Sequence, residues 1–184
     1  MESRKIKRFF PDYLVNLLKN RQVMEAVITQ PEQIRPDYET ERGKAMPSKN
    51  HALIQSRILV TLSKKYGNQY DFLSEVSLDM AGKWVVPDIA VYPQLTFDSL
   101  HDETRMAQMP LGVIEILSSS QTQEELVEKS TQYFAAGIQS YWLVNPLFKI
   151  IHVIHNSETY RNFIGGTLTD EKLGLSLELE EVFR

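Results

Sequence analysis

Two acidic residues lie inside apolar stretches of this sequence, and both are candidates for chemistry. Asp88 lies in WVVPDIAVYP and Glu115 lies in LGVIEIL. An ionised carboxylate in an apolar strand is costly unless it is paired, hydrogen-bonded or bound to a cation. The first basic residue after Glu115 is Lys129, which lies on the predicted helix that follows. These three side chains are therefore the first candidates for a functional site.

Two carboxylates from neighbouring strands, faced by a lysine, are suited to a divalent cation. Mg²⁺ prefers oxygen ligands, and carboxylates supply them. A lysine at such a site would orient a water molecule or contact a phosphate, which suits phosphodiester hydrolysis. The alternative is that each acid lies at a strand end or in its own structural ion pair. Composition and periodicity leave both interpretations open.

An amphipathic helix is predicted shortly before the first acid. Ile54, Ile58 and Leu62 recur every four residues, which places them on one helical face. Ser48 is a suitable N-cap for this helix, and Gly67 is a suitable end.

The remaining pattern alternates strands and helices. Residues 73–80 alternate in polarity, and the AGK turn leads to a strand over 84–92, so we expect these two strands to form a hairpin. Residues 111–117 are expected to form a central strand, and 122–137 a helix that begins with a Thr122–Glu125 capping box. Further strands are predicted at 140–146, at 149–163 as a hairpin, and from 175. The strand–helix–strand order indicates an α/β fold with a mixed β-sheet flanked by helices.

Composition narrows the class of protein. The 184 residues suffice for a single domain, and the net charge of −4 means that any nucleic-acid contact needs a local basic patch. The chain has no cysteine, which excludes disulfides and thiolate metal sites. No apolar run is long enough to cross a membrane, and the basic N-terminus is a poor secretory signal. We therefore expect a cytoplasmic protein.

Histidines and aromatic residues on the predicted strands have ordinary structural explanations. His152 and His155 are three residues apart, so a strand places them on opposite faces and a shared metal is not expected. Trp84, Tyr141 and Trp142 are expected in the core rather than as platforms for stacking bases.

The order of these motifs resembles the PD-(D/E)XK nuclease superfamily, and within it a bacterial restriction-endonuclease-like branch. The resemblance rests on Pro87-Asp88, VIEILSSS, Lys129 and YFAAGIQSYWLVNP, in that order. Upstream, YETERGKAMPSKNH resembles the opening segment of the same branch. The resemblance covers residues 38–155 as a nuclease-like core, and the first 30 residues match only weakly.

This resemblance implies roles for individual residues. Asp88 and Glu115 would bind Mg²⁺ or Mn²⁺, and Lys129 would orient the water or stabilise the phosphate. Glu39 matches an N-terminal glutamate that is often placed at the same site. Glu125 would support these residues without binding the metal. His51, at the start of the first helix, would either support the site in the same way or be merely partly exposed.

The implied activity is Mg²⁺-dependent hydrolysis of DNA, performed by a protein that works as a homodimer. Leu117 occupies the place where the superfamily often has its lysine, and Lys129 on the following helix matches the branch's replacement. Glu125 occupies a position where the branch has an aspartate, and Ser119 occupies one where the branch has a proline. These departures keep open an alternative, a catalytically inactive module of the same fold that binds nucleic acid or another protein.

Overall fold

The computed structural model describes residues 47–118, 121–156 and 158–184, all of which belong to one compact unit. Glu39, Ser119 and the N-terminal 30 residues lie outside the described ranges. Within those ranges, no helix combines the length and the apolar character needed to span a membrane.

A six-stranded mixed sheet forms the centre of the fold, in the order β1-β4-β5-β6-β7-β8. Strands β5 and β6 are parallel, and the other neighbouring strands are antiparallel. The helix between β5 and β6 makes the predicted βαβ unit, so the predicted fold class is confirmed. The strands of this sheet are β1 (Tyr70–Ser74), β4 (Ile89–Pro93), β5 (Gly112–Ile116), β6 (Ser140–Asn145), β7 (Ile150–Ile154) and β8 (Tyr160–Phe163).

Two small hairpins accompany this sheet. One pairs β2 (Leu78–Met80) with β3 (Lys83–Val85), and the other pairs β9 (Thr167–Asp170) with β10 (Leu175–Glu178). Strand β9 and the C-terminal helix α3 (Leu179–Phe183) were not expected from the sequence.

Each face of the main sheet is covered by one of the predicted long helices. Helix α1 (Lys49–Tyr66) buries Ile58 and Leu62 against one face, in a cluster that also contains the β9–β10 hairpin and α3. Helix α2 (Gln123–Ala135) buries Leu126 and Tyr133 against the other face. The sheet therefore has an apolar core on both sides, which is why its central strands tolerate few polar residues.

The predicted helix ends are confirmed. The Ser48 hydroxyl accepts the N–H of His51, and Gly67 follows the last residue of α1. At α2, the Thr122 hydroxyl and the Glu125 carboxylate each accept the other residue's backbone N–H, which is a complete capping box.

The two strands predicted on either side of the AGK turn are each divided in the structure. Glu75 adopts a positive φ of 54°, which ends β1, and Pro87 lacks the N–H that a continuous ladder would need. Strand β1 therefore pairs with β4 in the main sheet, while β2 pairs with β3 beyond the interruption. The predicted hairpin between the two segments is confirmed, and the interruption of its strands at Glu75 and Pro87 was not predicted.

Asp170 is a buried carboxylate that ties the β9–β10 hairpin to the main sheet. It is 1% exposed, and its Oδ2 accepts hydrogen bonds from the Ser140 hydroxyl at 2.6 Å and the Trp142 indole N–H at 2.8 Å. Its Oδ1 contacts Nε2 of His155 at 3.0 Å and accepts backbone N–H groups of the turn after β9. Removing this acceptor would leave buried donors without partners.

We expect Asp170→Ala to lower the free energy of unfolding by about 3–5 kcal/mol, because the donors around it stay buried. Urea denaturation followed by circular dichroism measures this. Glu171→Ala is the matched control: Glu171 pairs with Arg161 at the surface, and such pairs contribute little. Equal effects of the two substitutions would contradict a structural role for Asp170.

Candidate active site

Asp88 lies immediately before β4, with its carboxylate fully buried. Its Oδ2 accepts the backbone N–H of Ile116 at 2.7 Å and lies 3.2 Å from Nε2 of His51 on helix α1. The relative exposure of Asp88 is 0%. The burial of this charge is thus offset by a strand amide and a histidine from a different element.

The backbone of Asp88 is held as firmly as its side chain. The Gln55 side-chain amide donates to the Asp88 carbonyl oxygen at 2.8 Å, and the backbone N–H of Glu75 donates to the same oxygen at 3.2 Å. Gln55 lies one helical turn after His51, so α1 presents both side chains to Asp88 from one face.

Glu115 occupies the middle of the central strand β5 and is 1% exposed. Its Oε1 accepts the hydroxyl of Tyr133 at 2.6 Å and pairs with the Lys129 ammonium group, both from helix α2. Burial raises the pKa of Tyr133 well above its ordinary value of 10.0, and the negative charge of Glu115 adds to this effect. Tyr133 is therefore a stable hydrogen-bond donor to the carboxylate.

A hydrogen bond brings the two acids into the same part of the sheet. Asp88 directly precedes Ile89, which faces Ile114 of β5 in the antiparallel pair. The Asp88 carboxylate accepts the backbone N–H of Ile116, the residue that follows Glu115. Burial raises the pKa of Tyr141, and the charges of Glu115 and Asp88 both contribute to the rise. Both acids therefore act on the same buried region.

The other two predicted site residues within the described ranges have different positions. His51 lies against Asp88, as a supporting residue would, and its Nδ1 is buried with no hydrogen-bond partner in the part of the chain that the structure describes. Glu125 is exposed and its carboxylate accepts the backbone N–H of Thr122. Glu125 thus caps α2, while Lys129 on the next turn reaches Glu115.

Sequence reasoning did not identify Gln55 or Tyr133 as part of the site. Tyr133 follows Lys129 by four residues, so both lie on the same face of α2 and reach the same carboxylate. This spacing was visible in the sequence. Gln55 carried no comparable signal, because an uncharged side chain at a half-apolar helical face is ordinary.

The donor set is compatible with a hard divalent cation. Within the described ranges, no three His, Cys, Asp or Glu side chains form a group that could hold a metal ion. Mg²⁺ does not need such a group, since it keeps several waters and is usually bound through one or two carboxylates together with substrate phosphates. Two buried, adjacent carboxylates meet this requirement.

Comparison with protein families places the chain. Residues 25–181 match the family model Uma2, described as "Putative restriction endonuclease". The chain belongs to the Uma2 family. This confirms the resemblance to restriction-endonuclease-like proteins that the sequence motifs indicated. A search of curated proteins finds no match.

Two solved structures are similar to this Uma2 protein, and the first shows its fold. One is a "putative nuclease belonging to DUF820 from Anabaena variabilis ATCC 29413", with a TM-score of 0.66 and 21% identity. The likeness covers 76% of this chain and 83% of that one. A second is a DrdV–DNA complex, with a TM-score of 0.40 and 19% identity over 62% of this chain and 71% of that one. At these identities, the first likeness concerns the fold alone.

We expect Lys129→Met to lower the free energy of unfolding by about 3 kcal/mol in metal-free buffer, because it leaves Glu115 buried without its cationic partner. Adding Glu115→Gln should restore most of this loss, since the neutral amide oxygen can still accept the Tyr133 hydroxyl. Urea denaturation in EDTA measures the coupling between the two substitutions.

Lys64→Met is the matched control for this cycle, because Lys64 is an exposed lysine in the last turn of α1. Its effect should be within about 0.5 kcal/mol. Additive effects of Lys129→Met and Glu115→Gln would contradict the ion pair described above.

Proposed function

We propose that this Uma2 protein is a divalent-cation-dependent endonuclease that hydrolyses phosphodiester bonds of DNA. The observation that carries the proposal is the pair of buried, adjacent carboxylates, Asp88 and Glu115, with Lys129 directly on Glu115. A carboxylate pair inside a sheet destabilises the protein unless something offsets its charge. A function that needs concentrated negative charge next to a fixed cation explains why the fold retains it.

Asp88 and Glu115 are the residues that would hold Mg²⁺ or Mn²⁺. When bound, such a cation offsets negative charge on the phosphate and lowers the pKa of the attacking water. The Ile116 amide fixes the Asp88 carboxylate, and the Tyr133 hydroxyl fixes that of Glu115. Both ligands are therefore oriented before any cation arrives, which limits the cost of ordering them on binding.

Lys129 supplies the positive charge of the site. Its ammonium group contacts Glu115, and its side chain is 19% exposed, so it lies between the buried carboxylate and solvent. From this position, Lys129 would orient the attacking water or stabilise negative charge on the phosphate. Lysine suits this role because its three donors rotate freely on a flexible stem.

Three further residues support the site in this proposal. His51 holds Asp88 from helix α1, and Glu125 fixes the start of the helix that carries Lys129. Glu39 lies outside the described residues, and we retain it as an additional acidic group at the same site on the basis of the family motif. We propose that the protein works as a homodimer, because cutting two strands requires two sites. We also propose a cytoplasmic location.

An inactive module that binds nucleic acid or a protein is the second candidate. One observation favours it: both carboxylates already have donors, from Ile116 and His51 for Asp88 and from Lys129 and Tyr133 for Glu115. Such a network is stable without a cation. Cation binding and DNA cleavage separate the two candidates.

We expect the purified protein to cleave plasmid or single-stranded DNA in the presence of Mg²⁺ or Mn²⁺ and not in EDTA. Asp88→Asn and Lys129→Met should each lower the cleavage rate by about 100-fold or more, since the first removes a cation ligand and the second removes a positive charge that acts on the reacting phosphate. Gel electrophoresis of time courses under single-turnover conditions measures the rates.

Glu128→Gln and Lys64→Met control for charge loss on exposed helical positions and should cleave like the wild type. Intact DNA at high protein concentration would exclude the enzymatic proposal while leaving the fold assignment unchanged. Equal cleavage by the wild type, Asp88→Asn and Lys129→Met would show that a contaminating nuclease is responsible.

Cation binding should separate the roles of Asp88 and Lys129. By isothermal titration calorimetry, we expect Asp88→Asn to abolish Mn²⁺ binding, because half of the ligand pair is lost. Lys129→Met should bind Mn²⁺ at least as tightly as the wild type, because a competing positive charge has left Glu115. Loss of Mn²⁺ binding in Lys129→Met, with its fold intact, would contradict these assignments.

A further inference from the structure

The β2–β3 hairpin carries an exposed tryptophan four residues before Asp88. Trp84 is 53% exposed, whereas Trp142, the other tryptophan of the chain, is 1% exposed. The expectation that Trp84 belongs to the core was therefore wrong. Trp84 alternates with the buried Val85 along β3, so the two side chains point to opposite faces of this hairpin.

A cation covers one face of this indole. The guanidinium carbon of Arg105 lies 3.2 Å from the centroid of the Trp84 ring, a cation–π contact. Arg105 is exposed, and within the described ranges it forms no ion pair or hydrogen bond with another residue. An exposed ring and an arginine without an acidic partner thus form one stacked pair at the surface.

Backbone hydrogen bonds hold the stacked pair in place. The N–H of Met106 donates to the Ser77 carbonyl at 2.8 Å, and the N–H of Asp79 donates to the Met106 carbonyl at 3.0 Å. The hairpin turn is closed by Gly82, whose N–H donates to the Asp79 carboxylate at 2.8 Å. The segment that carries Arg105 and the hairpin that carries Trp84 are therefore linked directly.

The pair is close to the acidic site along the chain. Trp84 precedes Asp88 by four residues, and four extended residues span at most about 14 Å. A strand of DNA advances by about 3.4 Å per base. A phosphate bound through a cation on Asp88 would then have its neighbouring bases, within about four steps, in reach of Trp84.

We propose that Trp84 and Arg105 form a stacking platform for an unpaired base of the DNA substrate. This inference rests on the proposed function. Indole rings stack bases of any sequence, and an unpaired arginine matches the adjacent phosphate. Asp102 and Glu103 lie in the same segment as Arg105, and their negative charges oppose the electrostatic attraction of the DNA backbone. Base stacking must therefore supply most of the affinity for DNA. The competing possibility is that Trp84 and Arg105 bind the surface of another protein instead of a DNA base.

Tryptophan fluorescence tests this platform directly, because Trp84→Phe removes the signal of the exposed tryptophan and leaves that of the buried Trp142. The wild-type protein is titrated with a 12-nucleotide single strand in EDTA, where no cleavage is expected. We expect quenching in the wild type and none in Trp84→Phe, whose remaining Trp142 lies in the core. A fully paired duplex should quench less than the single strand, since its bases are not available for stacking.

Affinity for the same oligonucleotide, labelled and followed by anisotropy, provides the second readout. Trp84→Ala should weaken binding by about 5- to 150-fold, the range found when one base loses its aromatic partner. Trp84→Phe should retain most of the affinity, and Arg105→Ala should lie between the two. Phe97→Ala is the matched control, because Phe97 is a 91% exposed aromatic residue and lies, like Arg105, between β4 and β5.

Several outcomes overturn the inference: no binding of single-stranded DNA, equal affinity of Trp84→Ala and the wild type, or an equal loss in Phe97→Ala. Binding that depends on Trp84, in a protein that does not cleave DNA with Mg²⁺ or Mn²⁺, would support the platform and reject the proposed function. DNA cleavage together with an unchanged affinity of Trp84→Ala for the oligonucleotide would support the proposed function and reject the platform.

Discussion

The burial of Glu115 in the central strand is the constraint on which the site depends. A carboxylate in the middle of a sheet that is covered on both faces must have partners, and helix α2 supplies them as Lys129 and Tyr133. The position and register of α2 are thus set by chemistry as well as by apolar packing. The capping box at Thr122 fixes where this helix begins, and so fixes which residues reach Glu115.

Asp88 meets the same constraint with different elements. Its carboxylate takes the Ile116 amide from the neighbouring strand and His51 from helix α1 on the opposite face of the sheet. The two acids are therefore held from two sides, and the Ile116 amide, which follows Glu115, links them through the Asp88 carboxylate. Such fixed, paired charges cost stability, which is the pattern expected where function opposes folding.

Most of the fold could be predicted from the sequence because its signals are local. The repeat of Ile54, Ile58 and Leu62, the caps of both long helices, and the apolar run around Glu115 each depend on short-range chemistry. The antiparallel pairing around the AGK turn was predicted, but the interruption at Glu75 was not, because a positive φ at a non-glycine residue is rare and has no clear sequence signal. The exposure of Trp84 was missed as well.

The site was predictable in part. Asp88, Glu115 and Lys129 were conspicuous as charges in or beside apolar elements, and the structure pairs Glu115 with Lys129, a contact that both a cation site and a structural ion pair allow. Tyr133 could have been found from its spacing of four residues after Lys129 on the same helix, whereas the hydrogen bond of Gln55 depends on a side-chain position that no sequence pattern specifies.

The most direct measurement of the central claim is anomalous diffraction from crystals soaked in Mn²⁺. We predict a manganese peak between the Asp88 and Glu115 carboxylates, at oxygen distances of about 2.1–2.3 Å, with the Lys129 ammonium group nearby. The same crystals of Asp88→Asn should lack this peak. A wild-type crystal with no manganese between the two carboxylates, at concentrations that saturate ordinary surface sites, would contradict the account.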